Sequence, residues 1–160
     1  MPTPTPAPTP APDFALTSSA FHQGGSIPPK YTCSGADVSP ALAWSGVPEG
    51  TASLVVLVDD PDANDFAHWI VYAIPANTTK LAEAAGTPAS SSLRQGTNDF
   101  GRVGYGGPCP PSGTHHYRFT LYALAAPLGL TGAPRASAVR AALGRATVLG
   151  RVTLTGTYAR

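Results

Sequence analysis

SLVVLVDDPDANDFAHW, residues Ser53–Trp69, is the stretch on which the reading of this chain turns. Its first half, Ser53–Asp60, is a near-continuous run of Val and Leu, the composition of a strand buried on both faces. The run ends in Asp59 and Asp60, and Pro61 then removes a donor from any further ladder. A short polar turn leads to His68, where a second apolar run, WIVYAI, begins. Pairing the two as antiparallel strands, at about 53–60 and 68–74, brings Asp60 and His68 to the same end of one sheet. A carboxylate and an imidazole there, beside a proline-bearing loop, are the seed of a site rather than of a core.

Order returns at HYRFTLYALA, where Tyr117, Phe119, Leu121 and Ala123 alternate with Arg118, Thr120, Tyr122 and Leu124. That is the period of a strand with one face more apolar than the other. PRASAVRAALGRA then sets Ala138, Val139, Ala142 and Leu143 at helical spacing, with Arg135, Arg140 and Arg145 on the remaining surface. A last strand is expected at about 148–158. Before the central pair, Phe14–Thr17 and Ala41–Trp44 read as brief strands among Gly, Ser and Pro turns. Residues 82–114 read as a long irregular excursion, which in a compact domain is more often functional than idle. The sum is a mainly β single domain, two packed sheets with one helix near the C-terminus.

A chain of 160 residues fits one domain. Charged residues make up only 12% and the net charge is +1, with the basic residues scattered, which excludes a sequence-independent nucleic-acid binder. No apolar run reaches the roughly 18–20 residues of a membrane-spanning helix, and the N-terminus lacks the basic-then-apolar pattern of a signal peptide. Residues 1–12, MPTPTPAPTPAP, alternate Pro with small residues and cannot bury apolar area. They read as a disordered tail or polyproline-like stalk, leaving 13–160 as the folded domain. Thr/Pro stalks often follow cleaved export signals, so an exported chain is expected (periplasmic, secreted or lipid-anchored), the alternative being a cytoplasmic one. Cys33 and Cys109 lack a CxxC spacing, so neither a zinc ribbon nor a thioredoxin-like motif is indicated. They are two small buried residues or, in an exported chain, a disulfide.

The chemistry collects where strands meet. His115 and His116 precede the strand from Tyr117 as His68 precedes the strand from Trp69. If Ser53–Asp60 lies between these two strands and antiparallel to both, Asp60, His68 and His115 face one another, while alternation turns His116 away. The loop GGPCPPSGT, Gly106–Thr114, would border them, its prolines stiffening the wall and glycines such as Gly107 bringing amides close to a ligand. Such a pocket suits a small anion: imidazoles and amides donate, a carboxylate fixes a tautomer, and binding weakens as the imidazoles lose their protons. Tyr117 is either core or a pocket donor, and Asp62 and Asp65 read as turn caps. Asp60, His68 and His115 lack a metal-site spacing such as HExxH, so neither metal nor cofactor is expected.

DDPDANDFAHW at Asp59–Trp69 followed by GGPCPPSGTHHYRFTLYAL at Gly106–Leu124 resembles the phosphatidylethanolamine-binding protein family. IPPKYTCSGADVSPALAWSGVP, NDFGRVGYGGPCPP and the terminal GTYAR resemble its bacterial branch, the Raf kinase inhibitor-like proteins. The likeness implies a β-sandwich of a large antiparallel sheet and a smaller one, a peripheral C-terminal helix, and a pocket for phosphate-like head groups. Carried over by position, that pocket holds Asp60, His68, His115 and Tyr117, with Pro111 and its neighbours as rim. One departure is Asn64, where the family usually has Pro, a change expected to loosen the turn.

Three functions follow as expectations. The first is a non-enzymatic binding module for a small anionic or phosphorylated ligand, coupled to a protein partner. The second is an inhibitor of a protease or kinase acting through surface loops. The third is a hydrolase using Ser112, with His115 as base and Asp60 as orienting acid, or a water held in the pocket.

Overall fold

The Val/Leu run forms the middle strand of a five-stranded antiparallel sheet. The computed structural model describes residues 13–87 and 91–160, with Thr3 and Pro4, so the tail reading of residues 1–12 lies almost wholly outside the described residues. The strands are β1 (Ala15–Thr17), β2 (Leu42–Ser45), β3 (Ser53–Asp60), β4 (Phe66–Pro75), β5 (Lys80–Leu81), β6 (Arg94–Gln95), β7 (Thr114–Leu124) and β8 (Val148–Ala159). Helix α1 (Ala136–Arg145) lies between β7 and β8, and 3-10 turns occupy Pro29–Tyr31 and Pro61–Ala63. The large sheet has the order β6-β4-β3-β7-β8 and the small one β1-β2-β5. The two-sheet, one-helix architecture is the expected one. Differences are local: β4 starts at Phe66, β7 starts at Thr114 and so contains both His115 and His116, and β6 puts a short edge strand inside the excursion.

All eight residues of β3 are buried, and the reason is visible on its two faces. Leu54, Val56 and Val58 pack into the main core with Trp44 and Leu42 of the small sheet, while Val55 and Leu57 pack beneath α1 with Val139. A strand covered on both sides has no polar face, hence the unbroken run in the sequence. The alternation carries through to its acids. Asp60 falls on the main-core face, whereas Asp59 falls on the helix side, where Arg118 grips it at 2.9 and 3.0 Å and Arg140 reaches it at 3.3 Å.

The pairing of β3 with β4 slips by one residue at the site end. Val58 lies opposite Trp69, Asp59 opposite Ala67 and Asp60 opposite Phe66, so His68 is the extra residue of a β-bulge. The bulge lets consecutive residues serve the same side: Trp69 enters the main core while His68 turns into the cavity at the strand end.

Candidate functional site

Asp60, His68, His115 and Tyr117 line one cavity of about 190 Å³ at the end of the large sheet. Asp60 closes β3 and is 3% exposed. One carboxylate oxygen accepts the Asp62 N–H at 2.8 Å, capping the 3-10 turn that Pro61 begins, and the other accepts from His115 Nδ1 at 2.6 Å. The pair fixes the His115 tautomer and presents Nε2 outward. His115 and Tyr117 share a face because they stand two apart on β7, their rings stacked with centroids 6.5 Å apart.

His68 is held differently. Its Nδ1 lies 2.6 Å from Gly106 O, and Phe66, Phe100 and Tyr117 surround its ring in edge-to-face contacts with centroids 5.2, 5.4 and 5.3 Å away. Burial in this aromatic box depresses its pKa, although the Gly106 carbonyl and the Asp60 charge pull the other way. At neutral pH the imidazole is uncharged. That revises the expectation of two donating imidazoles: His68 offers the cavity a lone pair. Tyr117 Oη is buried, its proton has no acceptor among the described residues while the Cys109 backbone amide approaches its oxygen, and burial holds the phenol protonated far above neutral pH. It is a hydroxyl waiting for an acceptor.

The Gly-Pro loop forms one wall, and its tip is the part that faces the cavity: Cys109, Pro110 and Pro111 line it. Gly107 does not. Its N–H goes to Asp37 Oδ1 at 2.7 Å, and a Cβ there would lie 2.4 Å from both that oxygen and Tyr31 O. The glycine serves the seam between this loop and the turn at 29–37, so its amide is taken before any ligand arrives. The same seam carries Tyr105 Oη to Tyr31 O at 2.7 Å, Cys33 N to Pro108 O at 3.1 Å, and a Cys33–Cys109 disulfide. The cysteines are therefore bonded, and Cys109 belongs to the pocket wall.

The remaining expectations divide. His116 does turn away; it is exposed and bonds Asp62 through both its backbone N and Nδ1 at 2.8 Å, which holds that carboxylate below its usual range. Asp62 and Asp65 are not the caps of this turn, since Asp60 is; Asp65 instead accepts from Arg118 at 2.9 Å. Ser112 is exposed and does not line the cavity, so no Ser112–His115–Asp60 triad is assembled. Phe66, Phe100 and Ala63 complete the apolar lining and had not been singled out from the sequence. Phe100 is presented by a loop organised on buried Asn98, whose Oδ1 accepts from Phe100 N and Arg102 N and whose Nδ2 reaches Gly104 O at 2.9 Å. Asn98 and Phe100 lie in NDFGR, where an Asn followed by a glycine-broken aromatic segment was the available signal. Among the described residues no group of His, Cys, Asp and Glu is placed to hold a metal ion, and no helix is long and apolar enough to cross a membrane.

Comparison with known proteins gives the same frame. The family model described as phosphatidylethanolamine-binding protein matches residues 17–159. A UPF0098 protein of Methanothermobacter thermautotrophicus is 45% identical over 151 residues, covering 91% of this chain and 98% of that one. A Mycobacterium tuberculosis protein named as a candidate lipoprotein, LppC, is 45% identical over 144 residues, covering 84% of this chain and 70% of its own. The crystal structure of Escherichia coli YbcL, described as a member of the mammalian PEBP family, superposes with a TM-score of 0.85 at 34% identity, covering 92% of this chain and 98% of that chain. With the family model spanning nearly the whole folded domain and relatives of this identity along its length, the chain belongs to the phosphatidylethanolamine-binding protein family.

Proposed function

We propose that this protein binds a small oxyanion, such as phosphate or a phosphorylated head group, in the cavity at the end of the large sheet. The observation that carries the reading is the buried Tyr117 O–H, whose proton has no acceptor among the described residues, beside the Asp60–His115 pair. A buried hydroxyl without an acceptor costs free energy, and a ligand oxygen supplies what it lacks. His115 Nε2, on the side of the ring away from Asp60, is a further polar atom of the cavity lining, and the apolar walls exclude water from the bound group. The cavity volume of about 190 Å³ suits a phosphate with a short substituent. Ser112, the nucleophile of the hydrolase reading, lies outside the cavity.

An exported setting fits the same picture. The Cys33–Cys109 disulfide supports export, since such bonds persist mostly in oxidising compartments, and LppC is named as a candidate lipoprotein. A competing role, binding a protease or kinase through loops, draws on the exposed Phe100, which lines the cavity, and the exposed Val103 of the same loop. It predicts partner binding that survives Asp60→Ala and His115→Ala.

A thermal-shift titration decides between them. Phosphate, phosphoethanolamine and glycerophosphoethanolamine are added to wild type, Asp60→Ala and His115→Ala. Concentration-dependent stabilisation of wild type, lost in both still-folded variants, is the expected result. No shift with any of the three at millimolar concentration would sink the oxyanion reading.

A further inference from the structure

β8 is the outer strand of the large sheet, and its free edge is only half covered. Alternation turns Arg151, Thr153, Thr155 and Thr157 away from β7, so each must place its N–H and C=O elsewhere. Over the second half, another segment of the chain does the pairing. Gly24 N donates to Thr155 O at 2.7 Å, Ile27 N to Thr157 O at 2.7 Å, and Thr157 N to Gly25 O at 2.9 Å. The Gln23 side chain ends that row by accepting the Thr155 N–H at 2.9 Å. Beyond it, the outward N–H and C=O groups of Thr153 and Arg151 meet no partner among the described residues, and both residues are exposed. Such an edge is a template for a further strand.

The bare strip has two unlike faces. Toward α1, the Arg151 and Thr153 side chains line a groove that also holds Asp59. Arg118 and Arg140 already grip that acid, and Arg151 makes no ion pair among the described residues. Toward the small sheet lies half-buried Val152, and Gly150 carries no side chain there: a Cβ would stand 3.0 Å from Pro48 and 3.3 Å from Phe14. A second copy pairing through the same strip would bring two Arg151 side chains together on one face, which like charge opposes.

We propose that residues 149–153 are a strand-addition site for a partner peptide that alternates acidic and apolar residues. Its backbone bonds to Arg151 and Thr153 and continues the row that residues 24–27 begin. Side chains of an extended segment alternate, so a carboxylate lies beside Arg151 on the helix side while an apolar neighbour lies over Val152, Phe14 and Pro48 on the other. Main-chain bonds supply the affinity, and Arg151 supplies the choice of charge. Arg151 stands opposite Tyr122, at the other end of β7 from His115, so this site is separate from the cavity.

The test is amide NMR of the isotope-labelled full chain, titrated with capped peptides of about eight residues. One alternates glutamate and valine, one alternates lysine and valine, and a third holds its glutamates and valines in two blocks. The alternating glutamate peptide is expected to move the Arg151 and Thr153 amide signals and to bind at least about threefold tighter than either of the others. Arg151→Glu reverses the order of the glutamate and lysine peptides. Thr153→Pro removes an outward N–H that the β7 ladder does not use, and abolishes the response. If that variant does not fold, the charge reversal in Arg151→Glu decides alone. Equal binding of the three peptides, an order unchanged in Arg151→Glu, a response confined to the residues around Tyr117, or no response at millimolar peptide each overturns the proposal. Slow hydrogen exchange of the Arg151 and Thr153 amides in the free chain overturns it too. The edge is then already taken, by a second copy where protection grows with protein concentration and by residues 1–12 where it does not.

Discussion

His68 and Gly106 hold each other from both sides: the ring Nδ1–H donates to Gly106 O at 2.6 Å, and Gly106 N donates to His68 O at 2.9 Å. The strand that carries the imidazole and the loop that walls the cavity are thus one hydrogen-bonded unit. Because burial lowers the His68 pKa in the folded protein, the unfolded chain binds the proton more readily. Stability from this residue is therefore complete above the ordinary histidine value of about 6.5 and declines as pH falls below it toward the depressed folded value. Melting temperatures recorded without anions at about pH 7.5 and pH 5 should show a larger drop in wild type than in His68→Gln. An equal drop in the two would contradict the assignment.

Tyr117→Phe separates stability from binding. The hydroxyl proton it removes has no acceptor among the described residues, so the variant should be within about 1 kcal/mol of wild type. Its melting temperature should no longer respond to phosphate. Urea unfolding gives the first quantity and the thermal-shift titration the second. A loss of more than about 1 kcal/mol would mean that the hydroxyl is bonded in solution.

Reducing the disulfide should weaken the fold and the wall to different degrees. In the chain-entropy model, releasing a loop with a sequence separation of 76 costs about 4.5 kcal/mol. The hydrogen bonds from Tyr105, Gly107 and Cys33 still tie residues 105–108 to the 29–37 turn, so the segment freed is the tip at 109–113. Hydrogen exchange under a dithiol should rise first at that tip. Uniform acceleration across β3 and β7 would contradict the layered attachment.

Asn64 has φ 54°, a left-handed conformation that asparagine tolerates and proline cannot adopt. The departure from the family's proline thus goes with a particular turn rather than a loosened one. Asn64→Pro should destabilise by at least about 1 kcal/mol, whereas Asn64→Gly should stay within about 0.5 kcal/mol of wild type. Thermal melts of the two variants check this, and a neutral Asn64→Pro would show that the turn readily takes the other conformation.

Much of the frame was legible because burial leaves a periodic mark. The unbroken Ser53–Val58 run announced a strand covered on both faces, and alternation from Tyr117 placed His115 with it and His116 opposite. Strand order then carried Asp60, His68 and His115 to one place. What could not be read depends on contacts between distant segments. Gly107 looked like a ligand amide because nothing in the local sequence tells that Asp37 takes its N–H. Phe100 joins the cavity only because Asn98 folds its loop against β4, where Asp99 Oδ2 accepts the Ala67 N–H at 2.7 Å. The protonation of His68 was misjudged for the same reason: burial among side chains from distant segments keeps the ring neutral, and a carbonyl supplied by residue 106 sets its tautomer.

Removing His68 from the chain would leave β3 and β4 in continuous register from Val58–Trp69 to Asp60–Phe66, with Ala67 still opposite Asp59. The ladder has no need of that residue; the sheet is complete without it and is bent to admit it. The imidazole is thus a guest in its own strand, and the architecture can outlive its loss where the chemistry cannot. A deletion of this one position would be the cleanest way to obtain the scaffold without the site.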